Sequence, residues 1–388
     1  MRERPIPLAL GGLAAMAAAI GIGRFIYTPI LPLMVEELGL SKAMAGFIAS
    51  ANFAGYLAGA LLAATPLVGG SRRGWLLSAL AVSGITTAAM AEATSPLAFL
   101  ALRFVGGAAS AFVLVFASAL VLDRLARVGR AQLSSVHFAG VGVGIAVSAV
   151  LVSLLVALGE DWRALWLAGG LASLAAVAIV AVLIPADAEP ASAARPAEGS
   201  GRGLASLVAA YGLFGFGYVI TATFLVAIVR ALADLRAIEP VVWLAVGLAA
   251  APSVAAWSGL AQRWGLARAF AAACVAEAIG VAASVAWEAV PGALLAAILL
   301  GGTFMGITAL GLVLARRLAA GDPRRILALM TAAFGLGQIA GPAFAGLAFD
   351  ATGSFLLPSL VAAAALVLAA ALVLLTHRSA AGRHSLRR

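Results

Sequence analysis

"GIGRFIYTPILPLM" occupies residues 21–34. It lies in an apolar run from about residue 8 to Val35, yet it holds Arg24. Whether that charge is tolerable depends on the solvent around the run. A signal-peptide core is ~7–15 residues long, so this longer run reads as a spanning helix that is retained. The composition of the whole chain agrees. Of its 388 residues, 64% are hydrophobic and 11% charged, and the mean hydropathy is +1.10, whereas soluble domains carry roughly 25% charged residues. A water-soluble fold of this length could not cover so much apolar surface. Lipid is therefore the expected solvent. The single cysteine, Cys274, excludes an internal disulfide and a cysteine-based metal cluster.

A helix needs ~20 apolar residues to cross a bilayer. Breaks at charges, Gly, Pro and Ser predict twelve spans, near 8–33, 44–67, 75–92, 97–121, 134–158, 163–184, 205–229, 240–261, 267–286, 292–315, 326–349 and 355–376. The longest interruption, "PADAEPASAARPAEGSGRG" (185–203), reads as a disordered cytoplasmic linker. The expected organisation is an all-α membrane protein with two six-helix bundles, 1–184 and 204–388, the second ending in a short basic tail. With the N-terminus in the cytoplasm, nineteen of the 25 basic residues fall on that side. Lys42, Arg163, Arg230 and Arg236 fall opposite, and Arg24 and Arg103 lie inside spans. This is the positive-inside pattern, and it predicts cytoplasmic termini. The formal charge of +9 is then directed at an anionic leaflet, and no nucleic-acid partner is needed to explain it. Trp75, Trp162, Trp166, Trp243 and Trp287 near span ends read as interfacial anchors.

The two halves resemble each other. "GIGRFI" (21–26) matches "GFGYVI" (215–220) at an offset of 194, and Gly106–Gly107 match Gly301–Gly302 at 195. "LVLDRLA" (120–126) resembles "LVLARRLA" (312–319), and Gly142 and Gly144 match Gly335 and Gly337. Several matches near one offset, each at the same depth, argue for a parallel repeat with a substrate site between the halves.

With these features the chain resembles the major facilitator superfamily over nearly its whole length. "GIGRFIYTPILPLM", "SANFAGYLAGALL" (50–62), "LRFVGGAASAF" (102–112), "HFAGVGVGIAVS" (137–148) and "GLGQIAGP" (335–342) are similar to its largely uncharacterised YbfB/YjiJ-type subfamily. The resemblance implies that spans 1, 4, 7 and 10 line a central cavity. It also implies rocker-type alternating access driven by a proton or solute gradient. The loop "VGGSRRG" lacks the Asp that the superfamily usually carries between spans 2 and 3. Asp123 resembles the acid that pairs with this loop's arginine in relatives, which suggests an Asp123–Arg73 gating latch. The alternative is two solvated end charges.

An ionised Arg near a helix centre costs ~2.5–3.5 kcal/mol, and such groups usually face the bundle interior. Arg24 lies ~6 Å outward from the middle of its span, so it either faces the interior or snorkels to the interface. Pro29 and Pro32 are expected to kink the helix beyond it and free carbonyls that need partners. Arg103, at similar depth, opens "RFVGG". This resembles the superfamily's span-4 motif linked to proton coupling, although Val105 replaces its glutamine-like position. The alternative for Arg103 is a structural cap on the carbonyls of a neighbouring helix. No acid lies within the first six spans away from their ends. Two guanidinium groups without counter-ions suit an anion, because the Arg fork matches carboxylate, sulfonate or phosphate. The repeat puts Tyr218 opposite Arg24.

The candidate substrate site is therefore Arg24, Arg103, Tyr218, Asn52, Tyr56 and Gln338. The last three read equally as interhelical hydrogen-bond clips. Glu277 is the one acid near the middle of a span. Desolvation favours its neutral form, so Glu277 and Arg103 are the proton-coupling candidates, with packing or pairing the alternative for Glu277. His137 reads as packing or capping at the start of span 5. The sequence holds no H-E-x-x-H, G-x-S-x-G or Walker motif, so no enzyme, cofactor or metal is expected. The expected function is proton-coupled secondary active transport of a small organic anion or metabolite, by a monomer among the lipids of a bacterial inner membrane. A drug or metabolite exporter and a non-transporting sensor or scaffold are the competing readings.

Overall fold

The computed structural model describes residues 4–186, 197–198, 203–318, 320–321 and 323–385. Most of the expected linker lies outside the described residues, as do Arg2, Arg195, Arg202, Arg387 and Arg388 of the basic set. Among the described residues, twelve helices are long and apolar enough to cross a membrane. They are span 1 Pro5–Leu38, span 2 Lys42–Ala63, span 3 Arg72–Glu92, span 4 Pro96–Arg127, span 5 Ala131–Ala157 and span 6 Trp162–Leu183. The second set is span 7 Leu204–Ala231, span 8 Ala233–Trp264, span 9 Leu266–Ala286, span 10 Val290–Leu318, span 11 Arg325–Thr352 and span 12 Leu356–Leu375. A two-residue antiparallel pair joins Ala197–Glu198 to Ala320–Gly321.

The repeat is visible in the packing. Span 2 packs on span 4, span 3 on spans 4 and 6, and span 1 on span 5. Adding six to each number gives the neighbours found in the second set: 8 with 10, 9 with 10 and 12, and 7 with 11. Across the two bundles, span 2 meets span 11, span 5 meets span 8, and span 1 meets span 7. The first two contacts are repeat mates of one another. The third is its own mate, so the pseudo-twofold axis passes between spans 1 and 7.

Glycines set these approaches, because backbone can meet backbone only where no Cβ intervenes. A Cβ on Gly21 of span 1 would lie 2.5 Å from Cα of Gly144 on span 5. A Cβ on Gly337 would strike the Gly212 carbonyl, which is the corresponding contact between spans 7 and 11. Span 1 is not one regular helix. Pro5–Met16 is α-helical, Ala17–Ile22 widens to π geometry, and Tyr27–Leu38 resumes the α-helix. The expected kink at Pro29 and Pro32 therefore sits further in, at residues 17–26. There the glycines permit the close approach to span 5, and the widened turn skips a hydrogen bond in every register.

Candidate functional site

The break in span 1 builds the site. Gly23 and Phe25 donate back five residues, to Ala18 at 2.8 Å and Ile20 at 3.2 Å, and Thr28 donates only three back, to Phe25. This switch leaves the carbonyls of Gly23 and Arg24 to be satisfied from elsewhere. Arg103 of span 4 satisfies them, Nη1 donating to Gly23 at 2.9 Å and Nη2 to Arg24 at 3.0 Å. Its guanidinium also lies 5.1 Å from the Tyr27 ring and 5.7 Å from that of Trp166. Asn52 Nδ2 donates to the Arg103 carbonyl at 2.9 Å. Arg103 thus joins span 4 to the broken turn, as the capping alternative has it.

Arg24 is placed differently. Its residue is 6% exposed, so the guanidinium is drawn inward and does not snorkel. Nη2 donates to Ser110 Oγ at 3.2 Å, and Nε has no partner. The guanidinium carbon lies 4.0 Å from the centre of the Tyr56 ring and 5.4 Å from that of Phe53. A cation over a ring face gains from the ring quadrupole. No carboxylate pairs with Arg24 among the described residues. Asn52 Oδ1, on the same span as Tyr56, is buried and unpartnered.

The second bundle answers with aromatic rings. Tyr218 lies between Phe304 and Phe334, each 5.8 Å away and within 5° of parallel. Phe25, next in the chain to Arg24, meets Phe304 at 5.9 Å and Trp243 at 6.5 Å. Gln338 Nε2 donates to the Tyr218 hydroxyl, while Gln338 Oε1 is buried without a partner. The Arg24–Tyr56 pair and the Tyr218–Gln338 pair are linked across the bundles by Phe25 on Phe304 and Phe304 on Tyr218. Arg24, Tyr56, Tyr218 and Gln338 are therefore brought together. Arg103 stands behind them, in the framework that holds span 1.

Glu277 is fully buried on span 9, which packs against spans 10 and 12. Neither carboxylate oxygen has a hydrogen-bond partner, and the hydroxyl of its neighbour Thr303 is engaged by the Leu299 carbonyl at 2.6 Å. Span 9 also meets span 7, the helix that carries Tyr218. The Asp123–Arg73 latch is not made in this structure. Arg73 donates instead to the carbonyls of Ile184 at 2.8 Å and Ala181 at 2.6 Å. Arg124 reaches Ala186 at 2.7 Å. Both arginines cap the end of span 6, whose carbonyls carry the negative end of the helix dipole and take the place of the acid missing from "VGGSRRG". His137 is buried, with Nε2 3.2 Å from Ser118 Oγ, a packing position at the start of span 5.

Sequence reasoning missed Ser110, Phe304 and Phe334, which are ordinary in an apolar span until helix rotation points them at Arg24 and Tyr218. It also placed Arg230 only as a basic residue at a span end. Arg230 Nε and Nη2 donate to Glu36 at 2.8 and 2.7 Å, and Nη1 donates to Glu239 at 3.1 Å. The charge alternation of Glu36, Arg230 and Glu239 was the available signal.

A gallate transporter of Pseudomonas putida is 28% identical over 41% of this chain and 35% of its own length. A gentisate transporter of Corynebacterium glutamicum is 25% identical over 43% of this chain and 38% of its own. The matched segment thus spans little more than a third of either relative. A crystal structure of the nucleoside transporter NupG, in a mutant form, superimposes with a TM-score of 0.75 at 14% identity. It covers 96% of this chain and 99% of that one, a likeness of fold. The model of the uncharacterised MFS-type transporter YbfB matches residues 16–374. With twelve apolar helices in two repeats, the chain belongs to that family of major facilitator superfamily transporters and is a multi-pass membrane protein and not an enzyme.

Proposed function

We propose that this chain is a secondary active transporter of small organic anions, with hydroxylated aromatic carboxylates the best-fitting class. The observation that carries this reading is Arg24, a buried guanidinium that donates to Ser110, has an unpartnered Nε and, among the described residues, no carboxylate partner. A buried cation without a counter-ion is costly. A carboxylate placed on its fork supplies the missing charge and hydrogen bonds. The Arg24–anion pair is then neutral, so it can be carried between the two faces at low electrostatic cost. The parallel rings of Tyr218, Phe304 and Phe334 suit an aromatic body, since stacked rings prefer offset contact. Asn52 Oδ1 and Gln338 Oε1 are free acceptors for ring hydroxyls. Arg103 is a positioning residue, because it fixes the turn that carries Arg24. The gallate and gentisate transporters, whose named solutes are of this class, support the reading.

The transport cycle follows the rocker scheme. Ties between the bundles run from Glu36 and Arg230 inward to mid-depth, at Ser50 and Ile339 and at Phe25 and Phe304. This conformation is therefore closed at the Glu36 face, which we assign to the periplasm of a bacterial inner membrane, with both termini cytoplasmic. Glu277, buried on span 9 without a hydrogen-bond partner, is the proton site in this scheme.

The test is thermal stabilisation of purified protein by 2,5-dihydroxybenzoate, benzoate and neutral benzamide, paired with proteoliposome flux. The expected order is dihydroxybenzoate, then benzoate, then benzamide. Arg24→Gln abolishes the stabilisation, and Glu277→Gln removes the dependence of flux on a pH gradient while sparing binding. Equal stabilisation by benzamide and benzoate, unaffected by Arg24→Gln, counts against the anion site. Ligand binding without flux favours a sensor.

A further inference from the structure

Residues 194 apart are repeat mates, as the matched stretches 21–26 and 215–220 are. Two contacts between the bundles join such mates to each other. Thr28 donates to the Ala222 carbonyl at 2.7 Å, and Arg230 donates through Nε and Nη2 to Glu36 at 2.8 and 2.7 Å. A contact between mates lies on the pseudo-twofold axis. Parting of the bundles at this face must therefore stretch it from both sides at once. Glu36 is about 12 Å further along the helix than Thr28, so a rotation pivoting at mid-depth separates Glu36 from Arg230 most.

The charges around this pair are arranged for one partner to leave. Arg230 is held on its own bundle by Glu239 at 3.1 Å, and Arg236 Nε donates to the Arg230 carbonyl at 3.0 Å. When Glu36 departs, Arg230 keeps a counter-ion. Off the axis but on the same face, Asp350 of span 11 takes the backbone N–H groups of Lys42 and Ala43 at 3.0 Å each. This caps the start of span 2 with a carboxylate from the other bundle, a favourable place for negative charge. The mate of that seam, between spans 5 and 8, carries Val156 where a clamp would sit. It leaves a cavity of about 180 Å³ beside Ser153, Arg236 and Trp243.

We propose that the axial pair Glu36–Arg230 and the Asp350 clamp on span 2 together form the gate that closes this face, with Glu36 and Asp350 as the groups that let go when it opens. The side chains of Glu36 and Arg230 are 49% and 21% exposed, and one partly exposed pair is worth little alone. The gate therefore works as a set, and weakening one member shifts a balance between two states.

The test uses spin labels at Glu37→Cys and Ala237→Cys, exposed positions on either bundle beside the gate, in a Cys274→Ala background in lipid nanodiscs. Pulsed electron resonance reads the distance between them. The expected result is one short distance for the parent pair. Glu36→Gln and Asp350→Asn each raise the ratio of long to short populations, by roughly five-fold. The exchange Glu36→Arg with Arg230→Glu, made together with Glu239→Gln so that no like charge faces position 230, restores the short distance that Glu36→Arg alone loses. Unchanged distances in both Glu36→Gln and Asp350→Asn overturn the proposal, as does an exchange variant no better than Glu36→Arg. The gate involves neither Arg24 nor any solute, so its failure leaves the anion reading standing, and the reverse also holds.

Discussion

Arg24 and Arg103 stand at similar depth on neighbouring helices, yet they answer different needs. Arg103 gives both terminal nitrogens to the carbonyls that the broken turn of span 1 exposes. Arg24 gives Nη2 to the Ser110 hydroxyl and leaves Nε without a partner, which is where the proposed anion binds. The two should separate experimentally. Arg103→Lys keeps the charge but cannot bridge two carbonyls, so it leaves a buried acceptor unmade, at a cost of about 1–3 kcal/mol. The expected outcome is a lower melting temperature in detergent, read by tryptophan fluorescence, with ligand stabilisation retained. Arg24→Gln should leave the melting temperature of the unliganded protein nearly unchanged and abolish the ligand effect. Both arginines were legible in the sequence, since a charge in an apolar run is conspicuous. Their division of labour was not legible, because it depends on how far each helix is rotated about its axis. Only the pairing of a broken turn with a fork donor one helix away hinted at it.

At the level of elements, the spans were legible because the thickness of the hydrocarbon fixes their length, and charges mark where they emerge. Span 4 reaches Arg127, past the expected 121, and its last turn carries Arg124 and Arg127, charges that suit the negative end of a helix dipole. The break in span 1 was expected at Pro29 and Pro32 and lies further in, at residues 17–26. The prolines lack the N–H groups that would close the next turns, but the opening itself is set by Gly21 pressing on Gly144. Gly21→Ala would bring a Cβ to 2.5 Å from Gly144 Cα. The two helices must then move apart, and the π turn that orients Arg24 loses its support. The expected outcome is a destabilisation of about 1–3 kcal/mol, read as a lower thermal midpoint, together with weaker binding of 2,5-dihydroxybenzoate. Gly259→Ala, where a Cβ meets open space inside a helix, is the control that should neither lower the midpoint nor weaken binding.

For the whole molecule, the proposed rocker cycle can be tested at uncharged positions of the seam between spans 2 and 11, far from Arg24 in the chain and one helical turn from Asp350. Spans 2 and 11 meet through glycines. A Cβ on Gly346 would collide with the Lys42 carbonyl, and one on Gly46 with the Pro342 carbonyl. These collisions exist only while the two bundles are together at this face, so a larger side chain there penalises one state and spares the other. A perturbation shifts a two-state balance only by its difference between the states, and a backbone clash felt in one state alone is entirely such a difference. Gly346→Val should therefore hold the Glu36 face apart. Val226, wholly buried beneath Arg230 in the closed arrangement, reports on this when replaced by cysteine in a Cys274→Ala background. Its labelling by a hydrophilic maleimide should accelerate in the Gly346→Val protein, while flux falls because the return to the closed state is hindered. An unchanged labelling rate would mean that spans 2 and 11 do not part when this face opens, and that the bundles move about the span 2–span 11 seam instead of away from it.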